Sequence, residues 1–210
     1  MAEHVHWLGH DTFLIDGPET IYFDPYQLGE GLPQADVILI SHEHHDHCSP
    51  EDVAKIQGDE TIIVTVASAA DQLEGDVRIV GPGDTIQVKG IEVEAVPAYN
   101  VNKFRSPGQP FHPKEAGHVG FVITLEGTRI YHAGDTDFIP EMAELREIDI
   151  ALLPVSGTYV MTADEAVEAA EAIQPGLVIP MHVGRGIGSL ASAEAFKEKA
   201  PVDVLILKVE

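Results

Sequence analysis

Four side chains within six residues, His42, His44, Asp46 and His47, form the pattern H-x-H-x-D-H. Imidazole and carboxylate together suit Zn, Mn or Fe, so the chemistry open to this cluster is metal binding. The cluster directly follows Val37-Ile38-Leu39-Ile40, an aliphatic run that reads as a buried strand. A tight loop at a strand end lets residues two apart aim at one metal while the next two aim at a neighbour. Independent placement of the residues would produce the pattern only roughly 0.002 times in a chain of this composition, so a chance group of histidines on a solvated turn is a poor alternative.

The elements that must position this loop change character along the chain. Short strands are expected at Phe13–Ile15, Thr20–Phe23, Val37–Ile40, Thr61–Thr65, Val77–Val80, Thr85–Val88 and Ile91–Val96. Two helices interrupt them. Ser49-Pro50-Glu51-Asp52 combines a capping residue, a proline at the first helical position and an acid three residues after the cap, which predicts a helix from about Pro50 to Gln57; the other helix lies near Ala67 to Leu73. After a long loop, roughly Ala98 to Gly117, strands at Val119–Leu125, Arg129–His132, Ile150–Leu153, Leu177–Met181 and Val204–Leu207 alternate with helices at Ile139–Leu145, Ala163–Ile173 and Ser192–Lys199. Strands in a row followed by alternation predict two packed sheets with helices on their outer faces, a four-layer αββα sandwich. The 210 residues fit one domain, 1–210, with pseudo-halves of about 1–117 and 118–210.

These motifs resemble the metallo-β-lactamase superfamily, whose fold is this sandwich. Tyr131-His132-Ala133-Gly134-Asp135-Thr136 resembles the strand-end motif whose Asp bridges two metals, and Pro180-Met181-His182 resembles the last histidine ligand. Gly9-His10 is typical of the branch that holds ascorbate-6-phosphate lactonase and related metal-dependent hydrolases. The resemblance implies that His42 and His44 hold one metal, that Asp46, His47 and His182 hold the other, and that Asp135 bridges them. It also places Asn100 where the remaining ligand of the first site is usually a histidine. Three outcomes stay open: a looser first site using Asn100, replacement by His112 or His118 from the long loop, or a single metal in the second site. The cofactor is therefore one or two divalent ions, Zn or Mn. His10 is expected beside the metals, as a ligand or a proton donor to the leaving group, and His132 as a residue that orients a ligand. His45 is expected to point outward and Cys48 to be a small buried residue.

Charge narrows the partners. With 12 Lys and Arg against 35 Asp and Glu, the formal net charge is −23. Nucleic-acid binding draws its affinity from basic residues that neutralise phosphates, so DNA and RNA are disfavoured, as are acidic membranes. The aliphatic runs are far shorter than a membrane span, and the start lacks a basic segment followed by an apolar one, so a cytoplasmic location is expected. The acidic surface fits either a salt-rich cytoplasm or an ordinary acidic protein, and a homo-oligomer is compatible with it.

Two windows, residues 95–114 and 172–193, contain no Asp or Glu. At one acid in six residues, a given 20-residue window is acid-free with a chance of about 3%. Both windows carry presumed site loops, and they hold Lys103, Arg105, Lys114 and Arg185. A locally positive mouth is expected, with Tyr99, Asn100, Lys103, Arg105 and Arg185 binding a small anionic substrate; plain loops poor in acids are the alternative. The expected activity is hydrolysis of an ester, lactone or phosphoester by a metal-activated hydroxide, with Asp46, His10 and Asp135 as the catalytic residues. The competing class is a non-catalytic metal-binding or sensing module in which Asn100 marks a degenerate first site.

Overall fold

The computed structural model describes residues 2–210. The first sheet is formed by β1 (Val5–Gly9), β2 (Thr12–Asp16), β3 (Thr20–Phe23), β4 (Val37–Ile40), β5 (Ile62–Thr65) and β6 (Asp76–Ile79), in that spatial order. Its first three strands meander antiparallel, and β3 to β6 then pair in parallel. The uninterrupted Val37-Ile38-Leu39-Ile40 run follows from this place in the sheet: β4 has a parallel neighbour on each side, and all four side chains are fully buried.

The second sheet begins with β7 (Thr85–Val88) and β8 (Ile91–Pro97). A short hairpin of β9 (Phe104–Ser106) and β10 (Gln109–Pro110) stands apart from both sheets, inside the segment expected to be a loop. The chain then adds β11 (Val119–Leu125), β12 (Thr128–His132), β13 (Ile150–Pro154) and β14 (Leu177–Met181), giving the order β14-β13-β12-β11-β8-β7. The change of sheet thus falls between Ile79 and Thr85, well ahead of the break near residue 117 that the sequence pattern shows.

The sheets meet face to face at His132 of β12. Its ring stacks on Phe23 of β3 with centroids 4.9 Å apart and meets Phe13 of β2 edge-on at 6.1 Å. Helices supply the outer layers. In α1 (Pro50–Ile56) the Ser49 hydroxyl accepts from the Asp52 amide, and Val53 and Ile56 enter the core. A single turn, α2 (Ala67–Ala70), follows β5. In α3 (Ala163–Ile173) Thr162 and Glu165 form a reciprocal capping box, and Ala166, Ala169, Ala170 and Ile173 make the buried stripe. α4 (Leu190–Lys199) packs on α3 and β14. This is the αββα sandwich that the element order predicts.

Two expected elements differ. Ile139–Leu145 is a 3-10 turn over Pro140–Glu144, and only Met142 of that turn is buried, too little apolar surface to sustain an amphipathic α-helix. Val204–Leu207 is not a strand; a single parallel bridge joins Val204 to Val178. His4 lies in a 3-10 turn ahead of β1, while His6 is half-buried within it. Among the described residues no helix is long and apolar enough to cross a membrane.

The parallel strands aim their carboxyl ends at one edge of the sandwich. Asp24 follows β3, the Ser41–His47 loop follows β4, Asp135 follows β12 after Ala133 and Gly134, Ser156 follows β13 and His182 follows β14. This is the edge at which open α/β sheets place their ligands. Gly120 permits the close approach that sets Asp135: a Cβ there would lie 2.6 Å from the His132 carbonyl oxygen and 2.7 Å from that of Ala133.

Candidate metal centre

Four histidines of the site, His42, His47, His112 and His182, are held by Nδ1, so that Nε2 of each faces inward. Asp24, in the left-handed region with φ 41°, accepts from the Ser41 amide, the Ser41 hydroxyl and His47 Nδ1, each at 2.7 Å. The same Ser41 oxygen accepts from His42 Nδ1 at 2.9 Å, and Ser156 Oγ accepts from His182 Nδ1 at 2.9 Å. Partners of this kind fix the tautomer and the ring orientation of a metal-binding histidine.

Three inward nitrogens converge on one side. His42 Nε2 lies 3.0 Å and His112 Nε2 3.2 Å from His44 Nδ1. The structure thus brings His112 from the long loop to the place where the resemblance puts Asn100. Asn100 acts through it: Asn100 Oδ1 accepts from the His112 amide at 2.8 Å and from His112 Nδ1 at 3.0 Å, while Asn100 Nδ2 donates to the Tyr159 carbonyl at 2.8 Å. His118, the other expected replacement, is buried against the His42 ring and has its Nε2 3.0 Å from Glu43 Oε2; it stands outside this cluster.

Asp135 reaches toward two clusters at once. Its Oδ2 lies 3.2 Å from His112 Nε2, and its Oδ1 lies 3.3 Å from both His47 Nε2 and His182 Nε2. His47 Nε2, His182 Nε2 and Asp135 Oδ1 are buried without hydrogen-bond partners. A set of inward nitrogen and carboxylate donors left over after the Nδ1 atoms of His42, His47, His112 and His182 are engaged fits divalent metal ions. Two groups of possible ligands stand apart: His42, His44 and His112 on one side, and His10, Asp11, His47 and His182 on the other. His42, His47 and Asp135 form a third such group between them.

The electrostatics divide the same way. Burial, aided by the neighbouring His47, pushes His42 well below the usual imidazole range, and burial pulls His112 down to about 4 against the opposing pull of Asp135. Both are neutral at pH 7, with lone pairs available. Burial also opposes charge on His47, but the Asp135 and Asp24 carboxylates outweigh it and hold His47 well above its usual range. A field that favours positive charge at His47 favours a cation there too. For Asp135 burial is outweighed by His182, His47 and His112, so the carboxylate stays ionised. Burial would likewise raise Asp46, but its contact with His10 and the charge of His47 keep it well below the usual carboxylate range.

Residues 4–182 match the family described as the Beta-lactamase superfamily domain. The chain belongs to this superfamily. A UPF0173 metal-dependent hydrolase of Thermoplasma acidophilum is 35% identical over 210 residues, which span 92% of this chain and 89% of that one. Another from Methanoculleus marisnigri is 34% identical over 196 residues, 91% of this chain and 85% of its own. A crystal structure of a protein from Parabacteroides distasonis, 32% identical, superposes with a TM-score of 0.86 over 98% of this chain and 93% of that chain. The fold is shared as well with the metallo hydrolase Igni18 of Ignicoccus hospitalis, at 21% identity and a TM-score of 0.76, covering 97% and 94% of the two chains.

The site of this superfamily member opens on a cavity of about 500 Å³. His44, His112, Asp46 and Asp135 line its metal side, and Arg105, Phe111, Tyr159 and Ile187 line the remainder. Phe111 and Tyr159 meet edge to face at 4.6 Å, and the Arg105 guanidinium lies 5.6 Å from the Phe111 ring centre. Asp46 stands at the cavity, its Oδ2 3.3 Å from His10 Nε2. His45 is exposed at the mouth, and Cys48 is buried.

Several expected substrate contacts are corrected. Lys103 is held by both oxygens of Glu165, at 2.9 and 2.7 Å, by Asn102, and by Asp137 at 3.3 Å. Arg185 donates to the Leu8 carbonyl at 2.5 Å and to Gln27, so it braces the loop after β14 against β1; a Cβ on Gly9 would run into its guanidinium. Tyr99 is buried and donates to Glu141, while Lys114 covers its ring and pairs with the same carboxylate. Asn100 is spent on His112. Among the described residues Arg105 is the one cation lining the cavity, and no carboxylate pairs with it.

Sequence reasoning missed Asp11, Asp24 and Ser156. Asp24 and Ser156 carry a weak signal, a polar residue one or two positions past the buried end of a strand. His132 holds the backbone of two turns: its Nε2 donates to the Asp11 carbonyl at 2.9 Å and its Nδ1 accepts from the Gly134 amide at 3.3 Å.

Proposed function

We propose that this protein is a metal-dependent hydrolase with a binuclear centre, acting on a small anionic ester, lactone or phosphoester. The observation that carries the reading is Asp135, whose two oxygens face different imidazole groups, His112 on one side and His47 with His182 on the other. His42, His44 and His112 would hold one ion and Asp46, His47 and His182 the other, with Asp135 between the two groups. Divalent ions bound there would acidify a water and polarise the scissile group.

The chain's own residues supply the rest. Asp46, ionised at the cavity wall, accepts the proton of the attacking water at Oδ2. His10 Nε2, 3.3 Å away, is placed to pass a proton on toward the leaving group. Arg105 attracts and orients the anion, and Phe111 and Tyr159 present an aromatic wall to its apolar part. The rival reading of a metal sensor drew on Asn100 in a ligand position, and His112 in that place supports hydrolysis instead.

The test is hydrolysis of generic lactone and phosphodiester substrates with added Zn or Mn, for wild type and Asp46→Ala. Metal-dependent turnover that the substitution abolishes supports the reading. Activity indifferent to Asp46→Ala would come from a contaminant and sink it.

A further inference from the structure

Asp11 is the one carboxylate among the described residues with both oxygens buried and unpartnered. It follows His10 in the turn from β1 to β2, is wholly shielded from solvent, and is packed against the rings that face the second ion. Its Oδ2 lies 3.8 Å from His47 Nε2, the same nitrogen that faces Asp135 Oδ1 at 3.3 Å. One donor atom from each of His10, Asp11, His47 and His182 falls within 4.8 Å of the others.

A carboxylate buried with no hydrogen-bond donor on either oxygen is costly. A cation shared with His47 and His182 satisfies both oxygens and the unpartnered nitrogens together.

We propose that Asp11 is a further ligand of the second ion, beside His47, His182 and Asp135. The inference rests on the binuclear reading above and deepens it, because the two donor sets become chemically unlike. The first is imidazole-rich, with His42, His44, His112 and one oxygen of Asp135. The second is oxygen-rich, with Asp11, Asp46 and the other oxygen of Asp135 joining two imidazoles. Imidazole suits Zn, whereas carboxylate oxygen suits Mn, so the second site selects Mn(II) over Zn more strongly than the first.

The experiment strips metal from the full chain and from Asp11→Asn and Asp11→Ser, then titrates each with Zn and Mn. Ions per chain are read by elemental analysis, and free Mn(II) by electron paramagnetic resonance. Wild type is expected to hold two ions, and the variants to keep the first while their Mn affinity at the second falls about tenfold or more. Thermal melting of the same samples guards against misfolding: the metal-free variants should melt no lower than metal-free wild type, and their rise on adding Mn should shrink. Unchanged Mn affinity in both variants overturns the role of Asp11 and leaves the binuclear centre standing, as does a lower metal-free melting temperature with unchanged affinity. A wild type that never holds a second ion overturns the binuclear reading itself, so the stoichiometry of the parent chain tells the two failures apart.

Discussion

Asn100 holds His112 twice, accepting on Oδ1 from the backbone amide at 2.8 Å and from ring Nδ1 at 3.0 Å, so that His112 Nε2 faces His44 and Asp135. A side chain in the expected ligand position thus orients a histidine instead.

Asn100→Ala removes both acceptors and frees the ring. Outer partners of metal-binding histidines contribute about 10- to 100-fold in metal affinity. The first-site Zn affinity should weaken by that order, while Asn100→Asp, which keeps the acceptor, should lose less. Competition with a chromophoric Zn chelator measures both.

Arg105 and Lys103 separate two meanings of a basic loop. Arg105 faces the cavity without a carboxylate partner, so Arg105→Ala should raise KM for an anionic substrate about tenfold or more, with a smaller change in kcat. Lys103 is committed to Glu165 and Asp137, so Lys103→Ala should lower the melting temperature and leave KM within about twofold. Steady-state kinetics paired with thermal melting checks the split.

Glu165 makes part of the acid sensitivity. Partial burial would raise its pKa, but Lys103, the Thr162 backbone and Asn102 outweigh that and bring it from 4.5 to about 2. A depressed carboxylate pKa stabilises the fold above pH 4.5, and that contribution is lost as pH falls toward about 2. The wild-type melting temperature should therefore drop across this window, and Glu165→Gln should start lower and show a shallower drop. Melting curves at several acidic pH values test it.

Gly120 lets β11 pass the carbonyls of His132 and Ala133 at a distance no Cβ tolerates. Gly120→Ala should cost about 1–3 kcal/mol through overpacking. It should also weaken metal binding, because the displaced backbone leads directly into Asp135. Chemical denaturation and ion stoichiometry report the two effects.

The sequence by itself determined the sandwich and the heart of the site. β4 was legible because a strand buried on both faces must be apolar throughout, and the loop after it because four metal-binding side chains in six residues lie close whatever the rest of the chain does. The capping signal at Ser49 was legible for the same reason, as it is a contact between residues three apart. The tertiary structure alone decided contacts between residues far apart along the chain. It placed His112, rather than Asn100 or His118, against His44 and Asp135, committed Lys103 and Arg185 to the scaffold, and brought Asp11 beside His47 and His182. Composition could see that the 95–114 segment lacks acids, but not that Glu165 reaches it from α3. The physical reason is that local patterns fix which face of an element is buried, whereas the partner of a buried polar group depends on where the sheets place the ends of distant strands.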